Sequence, residues 1–157
     1  MVRGREYLAL CLVLVCWGCG GKGAPSGDPI KYGQGFYNEE KGRDYNWRWM
    51  GPEGVIKLLN TKRDMQLKIK GRTPNDVMPS LPTITVYLNG SQFDKFLSPK
   101  EVFEKQYVVP AAKLGLDEYT DLKITTSGTI SPRDLDKKSG DGRKLGFQIQ
   151  SLTWENK

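Results

Sequence analysis

The sequence predicts an all-β chain, an antiparallel β-sandwich of jelly-roll or immunoglobulin-like type with at most one short helix. Three observations lead there. Apolar residues recur at every second position in one segment after another, as half-buried strands require. No stretch sustains the three-to-four spacing of an amphipathic helix. Gly, Pro, Asn and Asp punctuate the chain at intervals of roughly ten residues, the rhythm of sandwiches built from short strands.

Along the domain, "GQGFY" and "NWRWM" are the first candidate strands, and "GVIKLLN" is the next. "MQLKIKG" sets Met65, Leu67 and Ile69 against Gln66, Lys68 and Lys70, a clean period of two. "TITVYLNG" puts Ile84, Val86 and Leu88 inward and ends on Asn89-Gly90, a pair that favours a type I′ hairpin, so a strand should return through Phe93 and Phe96. "FEKQYVV" is a further candidate. "PAAKLGL" is the best helical stretch, with Pro110 at a tolerated first position, and supplies a turn or two. "DLKITT" alternates through Leu122 and Ile124. "KLGFQIQSLTW" alternates through Leu145, Phe147 and Ile149, then shifts phase to Leu152 and Trp154, which predicts a bulge where one residue is added. Residues 71–82 and 127–143 are long irregular stretches, and loops of that length in a compact domain are often functional.

The amino terminus predicts export. Residues 1–19 carry Arg3 and Arg5, then an apolar run over 8–17, then glycines, which is the form of a secretory signal and too short to span a bilayer. The chain's three cysteines, Cys11, Cys16 and Cys19, all lie in this segment, so the remaining domain has no disulfide framework. The end of the run resembles a bacterial lipoprotein signal. On that resemblance Cys19, preceded by Gly18, is the lipid-attachment residue, with Cys16 the alternative; the other reading is an ordinary cleaved secretory signal with incidental cysteines. On the same resemblance, the absence of Asp after Cys19 implies the outer membrane if the cell has two membranes. The division that follows is signal 1–19, a flexible Gly/Pro/Ser-containing tether over 20–32, and a sandwich domain over 33–157.

Composition narrows the function. The formal charge is +6, and removal of residues 1–19 takes away Arg3, Arg5 and Glu6 and lowers it by one. Basic and acidic residues alternate without a long single-sign run, so nucleic acid is not an expected partner. The chain has no histidine, which removes the usual general base, the commonest metal ligand and the Ser-His-Asp arrangements together. Glycoside cleavage would need a carboxylate pair about 5 to 10 Å apart. Asp134 with Asp136, or Glu39 with Glu40, are the candidates, but their Lys/Arg-rich neighbours keep carboxylates ionised. Asp134, Asp136 and Asp141 supply oxygens for calcium in a Gly-containing loop, yet the two lysines among them and the irregular spacing oppose such a site. The expectation is a binding protein rather than an enzyme, with no cofactor and no metal.

"DYNWRWMG" concentrates the candidate binding residues. On a strand, Trp47 and Trp49 share one face and Arg48 takes the other. The two indoles can stack on a sugar ring together with Tyr45, or they can supply the apolar area that a cysteine-free domain needs to bury. The inner-face alternative is favoured for at least one of the pair. Arg48, if covered, needs a carboxylate from Glu39, Glu40, Asp44 or Asp141; otherwise it can fork onto a ligand carboxylate or phosphate.

The order of "GFYNEE", "WRWMG", a strand ending "VYLNG" with spaced phenylalanines after it, a proline-opened turn and "DGRKLGFQIQSL" resembles the small β-sandwich domains appended to bacterial glycosyltransferases and related cell-envelope proteins. The resemblance spans residues 35–154. It places Glu39 or Glu40, Arg48, Trp49, Asp141 and Arg143 at the pattern positions, with Glu39, Arg48, Asp141 and Arg143 as structural ion pairs. It implies a non-catalytic accessory that holds or orients glycan, here carried alone behind a lipid anchor at the envelope. The alternative is a structural or protein-interaction lipoprotein without a sugar ligand.

Overall fold

The computed structural model describes residues 27–157. The signal segment with Cys16 and Cys19, and the tether to residue 26, lie outside the described residues. Ten strands and one short helix follow in order: β1 Ile30–Tyr32, β2 Glu40–Lys41, β3 Asn46–Met50, β4 Glu53–Leu59, β5 Met65–Arg72, β6 Thr83–Leu88, β7 Ser91–Leu97, β8 Phe103–Val109, β9 Tyr119–Thr126, α1 Pro132–Leu135 and β10 Phe147–Asn156. They form two five-stranded antiparallel sheets, β1-β4-β9-β6-β7 and β2-β3-β10-β5-β8. This is the expected antiparallel sandwich.

The core lies between the sheets and is built from the alternating positions. Met65, Leu67 and Ile69 of β5, Ile84, Val86 and Leu88 of β6, and Leu122 and Ile124 of β9 are all buried there. The hairpin between β6 and β7 turns on Asn89 (φ 47°) and Gly90 (φ 79°), both left-handed as a type I′ turn requires. The pairing of β6 with β7 shifts between Val86 and Tyr87, which lets both Phe93 and Phe96 pack against the core although their spacing is odd. The bulge in β10 falls between Ile149 and Ser151, and the inward set passes from Phe147 and Ile149 to Leu152 and Trp154.

Three elements differ from expectation. "GQGFY" is not a strand; it contributes a single bridge, Phe36 to Met50. β1 lies inside the stretch expected as tether, because Ile30 and Tyr32 alternate with Lys31, pack on the core and pair with Leu58 and Ile56. β2, only two residues long, was too short to show a period. The "PAAKLGL" stretch supplies one 3-10 turn, Ala111–Lys113. Residues 127–143 hold α1, whose Pro132 opens the helix.

Candidate functional site

The facing of β3 decides what its aromatic residues do. Met50 lies opposite Phe147, and both are in the inter-sheet core. Alternation then sends Arg48, opposite Ile149, to the inner side, and sends Trp47 and Trp49 to the outer face. The facing expected for the tryptophans is therefore corrected, because the inward residue is Met50, while the burial expected of at least one of them is met by Trp49. Trp49 is only 8% exposed, buried outside the core cluster. Trp47 is half-buried, its ring tilted against Tyr45 with centroids 5.6 Å apart, and its indole N–H donates to Glu40 Oε2 at 3.1 Å.

Arg48 also departs from expectation. Among the described residues it makes no ion pair; its Nη1 donates to the Tyr37 carbonyl at 3.4 Å and its guanidinium lies 4.9 Å from the Tyr32 ring centroid. It sits where β3 faces the short edge strand β1, and an aromatic face takes the place of a carboxylate.

Of the four residues expected as structural ion pairs, Asp141 and Arg143 pair with each other, while Arg48 and Glu39 stand apart. Arg143 holds Asp141 in a fork, Nε to Oδ1 at 3.0 Å and Nη2 to Oδ2 at 2.8 Å, while its Nη1 meets Glu40 Oε1 at 2.7 Å. The acid from the amino-terminal side is Glu40, not Glu39. Glu40 pairs with Trp47 across β2 and β3, so it shares the outer face that Arg143 approaches; Glu39 instead accepts from Asn46 Nδ2 at 3.5 Å. Hydrogen bonds from the Arg143 side chain hold the Asp141 carboxyl down at about 2, and the same pairing pushes the guanidinium up. Glu40 thereby ties the segment before β10 to the β2–β3 hairpin. Within that segment, Arg133 Nη2 donates to the Gly140 carbonyl at 3.0 Å, and Asp136 Oδ1 accepts the Lys138 amide at 2.9 Å. Among the described residues no three His, Cys, Asp or Glu side chains gather as metal ligands.

Beside this cluster, the outer face of the second sheet carries an open depression of about 480 Å³ lined by Asp44, Tyr45, Lys70, Val102, Gln150 and Ser151. Tyr45 is 50% exposed and presents its ring at one side. Ser151 and Lys70 are paired across β10 and β5. Gln150 sits in the bulge and donates from Nε2 to Gln148 Oε1 at 3.2 Å, which orients its amide and leaves its own Oε1 for an outside donor. An aromatic face bordered by an amide, a hydroxyl, a carboxylate and an ammonium is the donor and acceptor set that a polyhydroxylated ring needs. Of the residues expected to bind ligand, Tyr45 lines this depression and Trp47 supports it from beside. Trp49 and Arg48 do not line it. Lys70, Gln150 and Ser151 come from strands read only for their apolar positions, and the phase shift at Gln150 was the available signal.

No protein-family model matches this chain, and no curated protein matches it. Among solved structures, the chain is similar in fold to a family 35 carbohydrate binding module from an environmental isolate, with TM-score 0.47 and 14% identity over 81% of this chain and 92% of that one. It is also similar to the exo-beta-1,3-galactanase of Phanerochaete chrysosporium, with TM-score 0.34 and 9% identity, covering 74% of this chain but only 26% of the galactanase.

Proposed function

We propose that this chain is a non-catalytic, glycan-binding β-sandwich carried by an exported protein that is lipid-anchored at Cys19 in the cell envelope. The observation that supports the glycan reading is the open depression where exposed Tyr45 borders Asp44, Lys70, Gln150 and Ser151. A sugar ring stacks on Tyr45 while its hydroxyls exchange hydrogen bonds with the Gln150 amide and the Ser151 hydroxyl. The test is binding of the full chain to an array of bacterial surface polysaccharides. Tyr45→Ala is expected to weaken binding about tenfold, the equivalent of about 1.4 kcal/mol, and Gln150→Ala to weaken it less. Binding that Tyr45→Ala leaves untouched refutes this site, and an array without any bound polysaccharide refutes the glycan reading.

A second reading, a protein partner in the envelope, has its own support. The edge strands β7 and β8 meet through Phe93 on Tyr107 and Phe96 on Phe103. That margin exposes Leu97 (60%), Val102 (42%) and Val108 (44%). On this reading Leu97→Lys abolishes cross-linking to envelope proteins and leaves polysaccharide binding as it was.

A further inference from the structure

The end of the sandwich at which the described chain begins carries a loop with two unusual properties. Leu116 is 95% exposed, the highest value among the exposed large hydrophobics of the described residues. Yet its loop is held tightly. The Lys62 ammonium donates to the carbonyls of Gly115, Leu116 and Asp117 at 3.1, 2.7 and 3.1 Å. The Asn60 amide donates to those of Leu114, Gly115 and Asp117 at 3.0, 3.1 and 3.0 Å. Leu114 is buried below, and Thr120 Oγ1 donates to its carbonyl at 2.7 Å. Bonds to consecutive carbonyls fix the loop backbone, and from that support the Leu116 side chain projects outward.

The chain enters at this same end. A Cβ on Gly27 would lie 2.6 Å from the Tyr119 hydroxyl, that hydroxyl donates to the Asp28 carbonyl at 3.4 Å, and the Leu59 amide donates to the Pro29 carbonyl at 2.9 Å. Residues 20–26 separate Cys19 from Gly27, and even fully extended they reach only about 25 Å. We infer that a lipid surface is the occupant of this end, with Leu116 entering the interface. This rests on the reading of Cys19 as an acylated residue. The contact proposed is made by the apolar Leu116 side chain, so it does not require anionic lipid. One leucine is too little to recruit a free domain, but a tethered domain meets the bilayer at high effective concentration. The depression beside Tyr45 lies toward the opposite end, since Gln150 and Ser151 sit five or more residues up β10 from the Met65–Asn156 pair. Docking at Leu116 thus turns the candidate ligand face away from the membrane.

The full-length, acylated protein in phosphatidylcholine vesicles tests this with two variants, Leu116→Trp and, as control at the far end, Leu135→Trp, which is already 54% exposed on α1. Relative to the unmutated chain, the extra emission of Leu116→Trp is expected to shift to the blue and to lose about half its intensity when the vesicles carry brominated acyl chains, because an interfacial side chain sits within reach of them. Leu135→Trp should show neither change. A protein that floats with the vesicles while both variants stay unquenched overturns the docking inference and leaves the anchor standing. A mature chain that carries no acyl group on Cys19 or Cys16, or does not float, overturns the anchor and the inference with it. A blue shift of Leu116→Trp that needs no vesicles and grows with protein concentration assigns the tip to a second copy, and also overturns it.

Discussion

Replacement of Glu40 separates the two carboxylates that the sequence could not tell apart. Glu40→Ala removes the 2.7 Å ion pair with Arg143 and the 3.1 Å acceptor of the Trp47 indole N–H in one change. Hydrogen bonds to a charged group are worth about 1.5–3 kcal/mol when well buried, whereas exposed ion pairs give about 0.2–1 kcal/mol. The Glu40 and Arg143 side chains are 33% and 34% exposed, which places the pair between these limits. Arg143 keeps its fork on Asp141, so no charge is stranded, and the expected loss is about 1–2 kcal/mol. Glu39→Ala removes only a 3.5 Å contact at the surface and is expected to cost under about 0.5 kcal/mol. Urea denaturation followed by fluorescence measures both, as a shift in midpoint at unchanged slope. A double-mutant cycle of Glu40→Ala with Arg143→Met should show coupling of about 1 kcal/mol. Trypsin should also cut Glu40→Ala faster after Lys137 or Lys138, because the segment before β10 loses its tie to the hairpin. Equal losses for the two glutamates, or a Glu40→Ala loss below about 0.5 kcal/mol, would refute the assignment of Glu40 as the anchoring acid.

Met50→Ala, which empties a fully buried inter-sheet position, is expected to cost about 2–5 kcal/mol in the same urea assay. Gly90→Ala forces a side chain into φ 79° in the β6–β7 turn and should cost about 1–2 kcal/mol; a neutral result would mean that the turn is not left-handed. Acid should weaken the fold through two carboxylates. Burial pushes the Asp94 carboxyl up, but the Tyr107 hydroxyl, the Lys95 amide and Lys105 together hold it below its usual value, and Arg143 holds Asp141 at about 2. A carboxyl lower in the folded state contributes stability that is complete above its unfolded value of about 3.9 and is lost as pH falls through the folded value. The urea midpoint is therefore expected to drop between about pH 4 and pH 2, and Asp94→Asn and Asp141→Asn should each flatten that drop.

The strands were legible where a period of two ran over six or more residues between turn formers, as in β5, β6 and β9. The β10 bulge was legible for the same reason, since an inserted residue changes the parity of the apolar set from Ile149 to Leu152. β1 and β2 were not legible. Three and two residues are too few to display a period, and both are held by their neighbours, β1 on Ile56 and Leu58 and β2 on Trp47. The candidate site was partly legible. Tyr45 stood out by type, and Asp141 with Arg143 stood out only through the resemblance carried by "DGRKLGFQIQSL". Lys70, Gln150 and Ser151 are ordinary polar residues on the outer faces of strands, and only the pairing of β10 with β5 brings them beside Tyr45.

The outward facing of Trp47 and Trp49 follows from the corner after β3 rather than from the strand itself. The chain leaves the second sheet at Met50 and enters the first at Glu53, with only Gly51 and Pro52 between. The corner is packed backbone to backbone: the Gly146 amide donates to the Met50 carbonyl at 2.9 Å, the Gly51 amide donates to the Gly35 carbonyl at 2.9 Å, and a Cβ on Gly146 would collide with the Gly51 carbonyl and the Thr126 methyl. A crossing this short ties the last residue of β3 to the space between the sheets, so Met50 points inward opposite Phe147. With a side-chain period of two, that one constraint orients the whole strand, and a slip by one residue would expose Met50 while driving Trp49 into a row already filled by Ile149 and Phe147. The aromatic residues are thereby committed to the outer face. There Trp47 can brace Tyr45, and Glu40 can accept from Trp47 while holding Arg143, so the corner that closes the fold also positions the candidate ligand surface.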